Sequence, residues 1–392
     1  MTDSRAKSRF CAITEHLSVE VVRSAEEFAA LREEWDALFH SARAARVFQS
    51  FGWCFAWWKH IGRATQPLIL LAREQQRLVG IAPFCLRERA GGPQLHLIGG
   101  LQYLGLLVID ERPDIPAAIA AKISELFPRG IIFLQSCAAG EPVTDFFAAA
   151  LKSMNWYESR WVRDICHQIH EENGYEALLA RKSHKSRYNI RRERKILDQR
   201  GNLEIFRFRG PEITMETIGR IASIQKRSWL ARRGQEPVNS PFWKEAVLAA
   251  ASMGCAEIFI MSLDGEDKAY ILNCLSNVSA YCMLIGFDQQ FEKLSPGKAL
   301  MSTAVESVLN DGKTIYDFLF GDADYKRFWG NRTLFVYSMI YCKGVVPWLV
   351  SWFPFRLHAV FGRYNFLRHW VHRVRATMAN FSRHTGPGKE KL

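Results

Sequence analysis

Apolar residues recur along this chain with two periods, and each period marks a kind of element. Val19 to Val22 reads as a short strand, and Ser24 and Glu27 then stand at capping-box spacing. Phe28, Leu31, Trp35 and Leu38 follow at helical intervals, and a second, aromatic-rich helix is predicted from Ser50 to Ile61. Leu68 to Arg73 and Leu78 to Leu86 predict two strands around a polar turn. A further strand pair is expected between Leu95 and Ile109. Helices are expected at Pro116–Phe127 and Val143–Met154, with strands at Ile131–Gln135 and Trp156–Ile165.

The second half repeats this order. A basic helical region, Tyr175 to Gln199, leads into a strand at Leu203–Phe208 and two helices, Thr214–Leu230 and Ser240–Ser252. Strands follow at Glu257–Leu263, Ala269–Ser276 and Ala280–Phe287, then a helix at Pro296–Asn310 and a strand at Thr314–Leu319. The hairpin Leu68–Leu86 corresponds in order to Ile258–Leu275. The repeat is one of element order and not of residues. The chain therefore divides into residues 17–170, residues 175–343 and a tail, 345–392, with the polar stretch Glu171–Gly174 near the join.

Composition narrows the class. The 392 residues are 48% apolar and 12% aromatic, enough for a buried core, which excludes disorder over the bulk of the chain. The net charge is +12, of which +7 falls in the tail, so the body has an ordinary surface balance. Nine cysteines are scattered without any Cys-x-x-Cys, a pattern of neither a disulfide framework nor a zinc ribbon, and a reducing cytoplasm is the expected compartment. Met1–Val19 has no apolar core of the kind a secretory leader needs, so none is expected. The longest apolar run, Gly344–Phe355, is too short to span a bilayer.

The stretch from Ala280 to Gly330 carries the most chemistry. An apolar strand ends at Gly286-Phe287-Asp288, a polar loop comes next, and Ser295-Pro296-Gly297-Lys298 opens a helix marked by Leu300, Ala304 and Val308. Ser295 suits the N-cap and Pro296 the first turn. Gly297 removes a side chain where backbone N–H groups would meet a ligand, and Lys298 adds a charge, so this helix start can hold an anion. A well-capped helix without a ligand would show the same residues.

Beyond the helix come Tyr316-Asp317-Phe318, Gly321-Asp322, Tyr325-Lys326 and Trp329-Gly330. With Ser295-Pro296-Gly297, these closely resemble the CelD/BcsL-type acetyltransferases, a GNAT branch linked to cellulose and exopolysaccharide biosynthesis. More distantly they resemble the FemABX peptidyltransferases, which have two tandem GNAT-like domains. Lys185 to Arg192, Trp229, Pro241-Phe242 and Phe51 to Trp58 extend the resemblance to about residues 45–335. Phe318-Leu319-Phe320 departs from it, since the family more often has a small or polar residue before the glycine.

The resemblance implies an α/β (α+β) protein of tandem GNAT-like domains, the first degenerate, each a mixed, largely antiparallel sheet flanked by helices. It implies acetyl-CoA or another acyl-CoA as co-substrate, with its pyrophosphate on the helix start and its pantetheine along the strand before it. Leu284, Ile285, Gly286, Phe287, Ser295, Gly297 and Lys298 are thus the expected donor-binding residues. The acceptor would be an amine or hydroxyl of a sugar, polysaccharide precursor or envelope metabolite. Aminoacyl or long-chain acyl transfer, as in FemABX, and a non-catalytic accessory protein of exopolysaccharide synthesis are the alternatives.

Acyl transfer from a thioester needs a base, a polarised carbonyl and two held substrates. Asp317 and Asp322 are the nearest carboxylates for a base. Tyr325 could protonate the leaving thiolate, and Lys326 could hold an anionic acceptor or a phosphate. Equally, Asp322 and Asp324 could form a turn and pair with Lys326 or Arg327.

Nine Lys/Arg lie between Arg181 and Arg200. Arg187, Arg191, Arg194 and Lys195 share one face, which is either a solvated face or a dock for an anion such as a carrier protein or a phosphate. Arg187, Arg191, Trp229 and Trp329 are the expected substrate-binding residues. No basic-and-aromatic stacking module is recognisable, so nucleic acid is not an expected partner. Cys166, His167, His170 and Glu171 lack a second ligand pair at matching spacing, and no metal is expected. The tail interleaves aromatics such as Trp348, Trp352 and Trp370 with arginines, which suits an amphipathic helix on an anionic membrane face or packed on the body. A cytoplasmic protein, peripheral to the inner face of the membrane, is the expected placement.

Overall fold

In the computed structural model the described residues are 17–89, 92–100 and 102–344. The helix expected in the tail lies outside them. The first half supplies β1 (Leu17–Val22), β2 (Gln66–Glu74), β3 (Arg77–Arg89), β4 (Gly92–Leu97), β5 (Leu107–Val108), β6 (Ile131–Ala138) and β7 (Trp156–His170). The second supplies β8 (Leu203–Arg209), β9 (Ala256–Leu263), β10 (Glu266–Leu275), β11 (Ser279–Phe287), β12 (Ile315–Phe320) and β13 (Arg332–Lys343). The helices that matter below are α1 (Phe51–Trp57), α2 (Asp114–Leu126), α3 (Pro142–Ser153), α4 (His184–Asp198), α5 (Met215–Lys226), α6 (Pro241–Ser252), α7 (Pro296–Asn310) and α8 (Asp324–Trp329).

All these strands join one mixed sheet, ordered β1-β2-β3-β4-β6-β13-β7-β12-β11-β10-β9-β8, with β5 beside β3. Read inward from either edge, the order is the same in both halves: a four-strand antiparallel run, then a parallel neighbour. At the centre the last strands are exchanged. β13 lies against β6 of the first half, and β7 against β12 of the second. β7 and β13 pair with each other along twelve positions, from Arg332↔Gln168 to Lys343↔Trp156. The duplicated units thus complete each other's sheets.

Both exchanged contacts contain the same irregularity. The β6–β13 register slips between Tyr337 and Met339, and the β12–β7 register slips between Asp317 and Phe320. At each slip one residue is left-handed, Ser136 with φ 61° and Leu319 with φ 54°. A bulge bends its strand and re-aims the residues beyond it.

Helices cover both faces. On one face α1 and α6 meet over a core that both halves build, with Trp35, Phe51 and Trp53 from the first and Ile221, Phe242 and Ala246 from the second. Gly52 makes that meeting possible, because a Cβ there would lie 2.4 Å from the Ala249 Cβ. On the other face α2 and α3 cover the first half, and α4 and α7 the second, over separate clusters.

Several boundaries differ from the sequence reading. The strand pair expected between Leu95 and Ile109 is β4 plus the two-residue β5. The helix expected from Thr214 to Leu230 stops at Lys226 and resumes as a single turn, Trp229–Arg232. The aromatic helix becomes a π-helical turn from Trp58 to Gly62. α8 and β13 have no counterpart in the sequence reading, whose last predicted element ends at Leu319 although the second unit is carried to residue 343. β13 is central and covered on both faces over much of its length, so its apolar residues run without alternation.

Candidate donor site

β11 pairs with the parallel strand β12 only at Ser279–Tyr281 against Ile315–Asp317. Beyond Tyr281 the strands splay while β11 continues to Phe287, so alternate backbone groups of 282–287 face a gap and not a partner. α7 starts at this gap. A cavity of about 570 Å³ opens there, walled by Ile285 and Phe287 of β11, by Ser295, Gly297, Lys298 and Met301 of α7, and by Trp229, Glu292, Tyr325 and Trp329.

The helix start differs in detail from the expected cap. Ser295 is left-handed, with φ 53° and ψ 46°, and its hydroxyl makes no capping bond. Its carbonyl accepts the Lys298 and Ala299 N–H groups, while the Gly297 N–H takes no partner among the described residues. Gly297 also sits close under β11, where a Cβ would lie 3.1 Å from Phe287 Cδ1 and 3.8 Å from Ile285 Cδ1. A free backbone donor, the positive end of a 15-residue helix and the largely exposed Lys298 together suit an anion. Lys298 reaches Glu193 of α4 at 3.8 Å, and burial raises the Glu193 pKa.

Tyr325 stands on the cavity wall from α8. Burial and the nearby Cys282 push its phenol well above the usual range. Leu284 and Gly286 alternate with Ile285 and Phe287 along β11, and Gly286 lies against the ring of Tyr270.

Asp317 and Lys326 are placed otherwise than a base and an anion-binding group would need. Asp317 is buried, and its carboxylate accepts from Tyr103 Oη at 2.7 Å, Gln168 Nε2 at 2.6 Å and the Leu319 N–H at 2.7 Å. Burial raises its pKa, against the pull of those hydrogen bonds. Lys326 is also buried, and its ammonium donates to the carbonyls of Leu319, at 3.1 Å, and Phe320. Burial lowers its pKa. Together the two side chains grip Leu319, a bulky residue in a left-handed conformation that is costly for it. Lys326→Met should therefore cost about 1–3 kcal/mol in urea denaturation, because a buried and a part-buried carbonyl lose their donor. Undiminished stability with lost turnover would instead give Lys326 a direct role.

Asp322 lies outside the cavity. It bonds His167 Nε2 at 2.9 Å and pairs with Arg327, which also holds Asp324. Those partners lower its pKa. This is the turn arrangement that the sequence also allows. Arg187 bonds the Lys182 carbonyl at 2.7 Å and so ties α4 to the preceding turn, while Arg191 is exposed. Glu292 and Met301 are cavity walls that sequence reasoning missed. Met301 was within reach, being four residues beyond Gly297 on the same helical face; nothing marks Glu292 in its polar loop. No group of three or more candidate metal ligands occurs among the described residues.

The equivalent place in the first half is built differently. β4 and β6 likewise pair only over three positions, but α2 begins with Pro113-Asp114-Ile115-Pro116, and Asp114 is ion-paired to Arg112. Two prolines remove N–H donors there, and a carboxylate occupies the positive end of the helix.

Comparison with known proteins agrees with this geometry. Residues 184–327 match the family described as acetyltransferase (GNAT) domain. The structure is similar to FemX, at 12% identity and a TM-score of 0.59 over 85% of this chain and 99% of that one. It is similar to the C-terminal domain of a protein named as a lysylphosphatidylglycerol synthetase from Agrobacterium fabrum, at 9% identity and TM-score 0.55 over 84% and 96%. L-PGS from Bacillus licheniformis gives 10% and 0.53 over 80% and 92%. No curated protein matches the sequence. At such identities the likeness is one of fold. The chain has a tandem GNAT-like fold, and its residues 184–327 are similar to the acetyltransferase (GNAT) domain.

Proposed function

We propose that the second half is an acyltransferase that moves an acetyl or other acyl group from acyl-CoA to an amine or hydroxyl. The observation that carries this reading is the cavity at the β11–β12 splay, which joins the Gly297 N–H, Lys298, the free edge of β11 and Tyr325. The pyrophosphate would lie on the start of α7 and the pantetheine along β11. A backbone N–H between Leu284 and Phe287 would polarise the thioester carbonyl. As the acceptor attacks, the C–N or C–O bond forms and the C–S bond breaks; Tyr325, protonated at neutral pH, gives its proton to the thiolate and regains the one the acceptor's N–H or O–H loses.

We read the acceptor as a sugar, polysaccharide precursor or related envelope metabolite, in line with the CelD/BcsL resemblance. A cavity of about 520 Å³ between the halves supports this. It is lined by Trp57 and Trp243 beside Arg87, His96, Gln102 and Gln135, so a sugar ring could lie against the indoles while its hydroxyls bond the polar side chains. The protein would work in the cytoplasm, its basic tail against the inner face of the membrane. Aminoacyl transfer is the second reading, favoured by the two-half likeness to FemX and to the lysylphosphatidylglycerol synthetases, whose name points to lysyl transfer onto a lipid.

Calorimetric titration of the full chain with acetyl-CoA and with aminoacyl-tRNA separates the two. Acetyl-CoA should bind. With a sugar acceptor found by screening, Tyr325→Phe should lower kcat about a hundredfold, as loss of a general acid does, and leave acetyl-CoA affinity nearly unchanged. Binding of aminoacyl-tRNA without acetyl-CoA would transfer the reading to the second class.

A further inference from the structure

We infer that the outward face of α4 docks an acidic acyl-carrier protein, which delivers its acyl group on a phosphopantetheine arm. The inference rests on the acyltransferase reading above and names a macromolecular donor for the same cavity.

α4 turns Ile190 and Leu197 into the core. Asn189, Ile190 and Glu193 also roof a second cavity of about 340 Å³, which has Lys298, Tyr325 and Trp329 as walls in common with the donor cavity. The helix therefore lies at the mouth of the donor site. Its other side exposes Lys185, Arg191, Arg192 and Lys195, with Arg194 exposed on the flank nearer Ile190, and none of the five makes an ion pair among the described residues. These cations spread over about 15 Å of helix. On the reading above, the pyrophosphate of free CoA would lie at Lys298 and the start of α7 and would leave most of that row unused. A partner that uses the row must be larger and negatively charged.

The surroundings favour a protein over a nucleic acid. Past the end of α4 the basic run continues only to the exposed Arg200, followed by Gly201 and Asn202. Asp324, held by Arg327, shares the second cavity with α4, Glu292 is exposed at the cavity wall, and Asp198 closes the helix. A polynucleotide continuing past α4 would meet these carboxylates, whereas an acidic helix laid on α4 alone would not. Tyr188 is 59% exposed within the basic row, and Phe328 is 39% exposed at the rim of the second cavity. Aromatics among arginines are typical of protein interfaces. The arm fits the chemistry unchanged: the acceptor N–H or O–H attacks the thioester carbonyl, the C–N or C–O bond forms, the C–S bond breaks, and the arm leaves as a thiol carrying the proton.

The test is calorimetry on the full chain with acetyl-loaded acyl carrier protein, apo carrier protein lacking the arm, tRNA, phosphatidylglycerol vesicles and CoA. The loaded carrier should bind at low salt. Lys185→Glu/Arg192→Glu/Lys195→Glu should weaken it at least about tenfold and leave CoA affinity within about twofold, since these side chains are outside the cavity. The milder Arg192→Gln/Lys195→Gln pair should move affinity the same way by less. CoA binding without carrier binding, carrier affinity unmoved by the reversals, or binding of tRNA or vesicles in place of the carrier overturns the docking surface while the donor cavity stands. Loss of both CoA and carrier binding in the unaltered protein overturns the acyltransferase reading itself.

Discussion

Gly297→Val is expected to weaken CoA binding about a hundredfold or more, equivalent to about 2.7 kcal/mol. The first carbon alone would stand 3.1 Å from Phe287 Cδ1, and the two methyls beyond it would fill the space between α7 and β11 that the pyrophosphate needs. The backbone N–H that remains would be shielded from its ligand. The stability cost should be smaller, about 1–3 kcal/mol for overpacking a close contact, because the φ at this position is ordinary. Gly297→Ala should fall between the two proteins in affinity. Calorimetry with CoA, set beside a thermal melt, separates blocked binding from unfolding. A folded Gly297→Val protein that keeps wild-type affinity would place the donor elsewhere.

The local elements of this fold are more legible in the sequence than their pairing. Hairpins such as Leu68–Leu86 can be read because turn and strand lie within one short window. The exchange of β7 and β13 cannot, because a period of two says that a segment is a strand and is silent on its neighbour. The same divide runs through the site. Gly297, Lys298, Phe287, Tyr325, Trp229 and Trp329 stand out in the sequence and share one cavity. Asp317, Asp322 and Lys326 stand out in the same segment by residue type, but type does not give direction. The β12–β7 pairing sets Asp317 opposite Gln168 and within reach of Tyr103, both contributed by the first half, and no local pattern could show those partners.

That junction predicts the largest loss of stability. Asp317→Ala removes the acceptor of three donors at once, the Tyr103 hydroxyl, the Gln168 amide and the Leu319 N–H. Each buried donor left unpaired costs about 1–3 kcal/mol, and partial relaxation should leave a net loss of about 3–5 kcal/mol, a sizeable share of a typical folding free energy. Tyr103→Phe deletes one donor and leaves the grip on Leu319 intact, so it should cost only about 1 kcal/mol. CoA affinity should follow the same order, because the left-handed Leu319 sets the course of β12 away from β11 and so the width of the donor gap. Urea denaturation with calorimetry on both variants tests this coupling. If Asp317→Ala unfolds at the wild-type urea concentration and loses only turnover, then Asp317 acts on the substrate and the junction between the halves is held by other contacts.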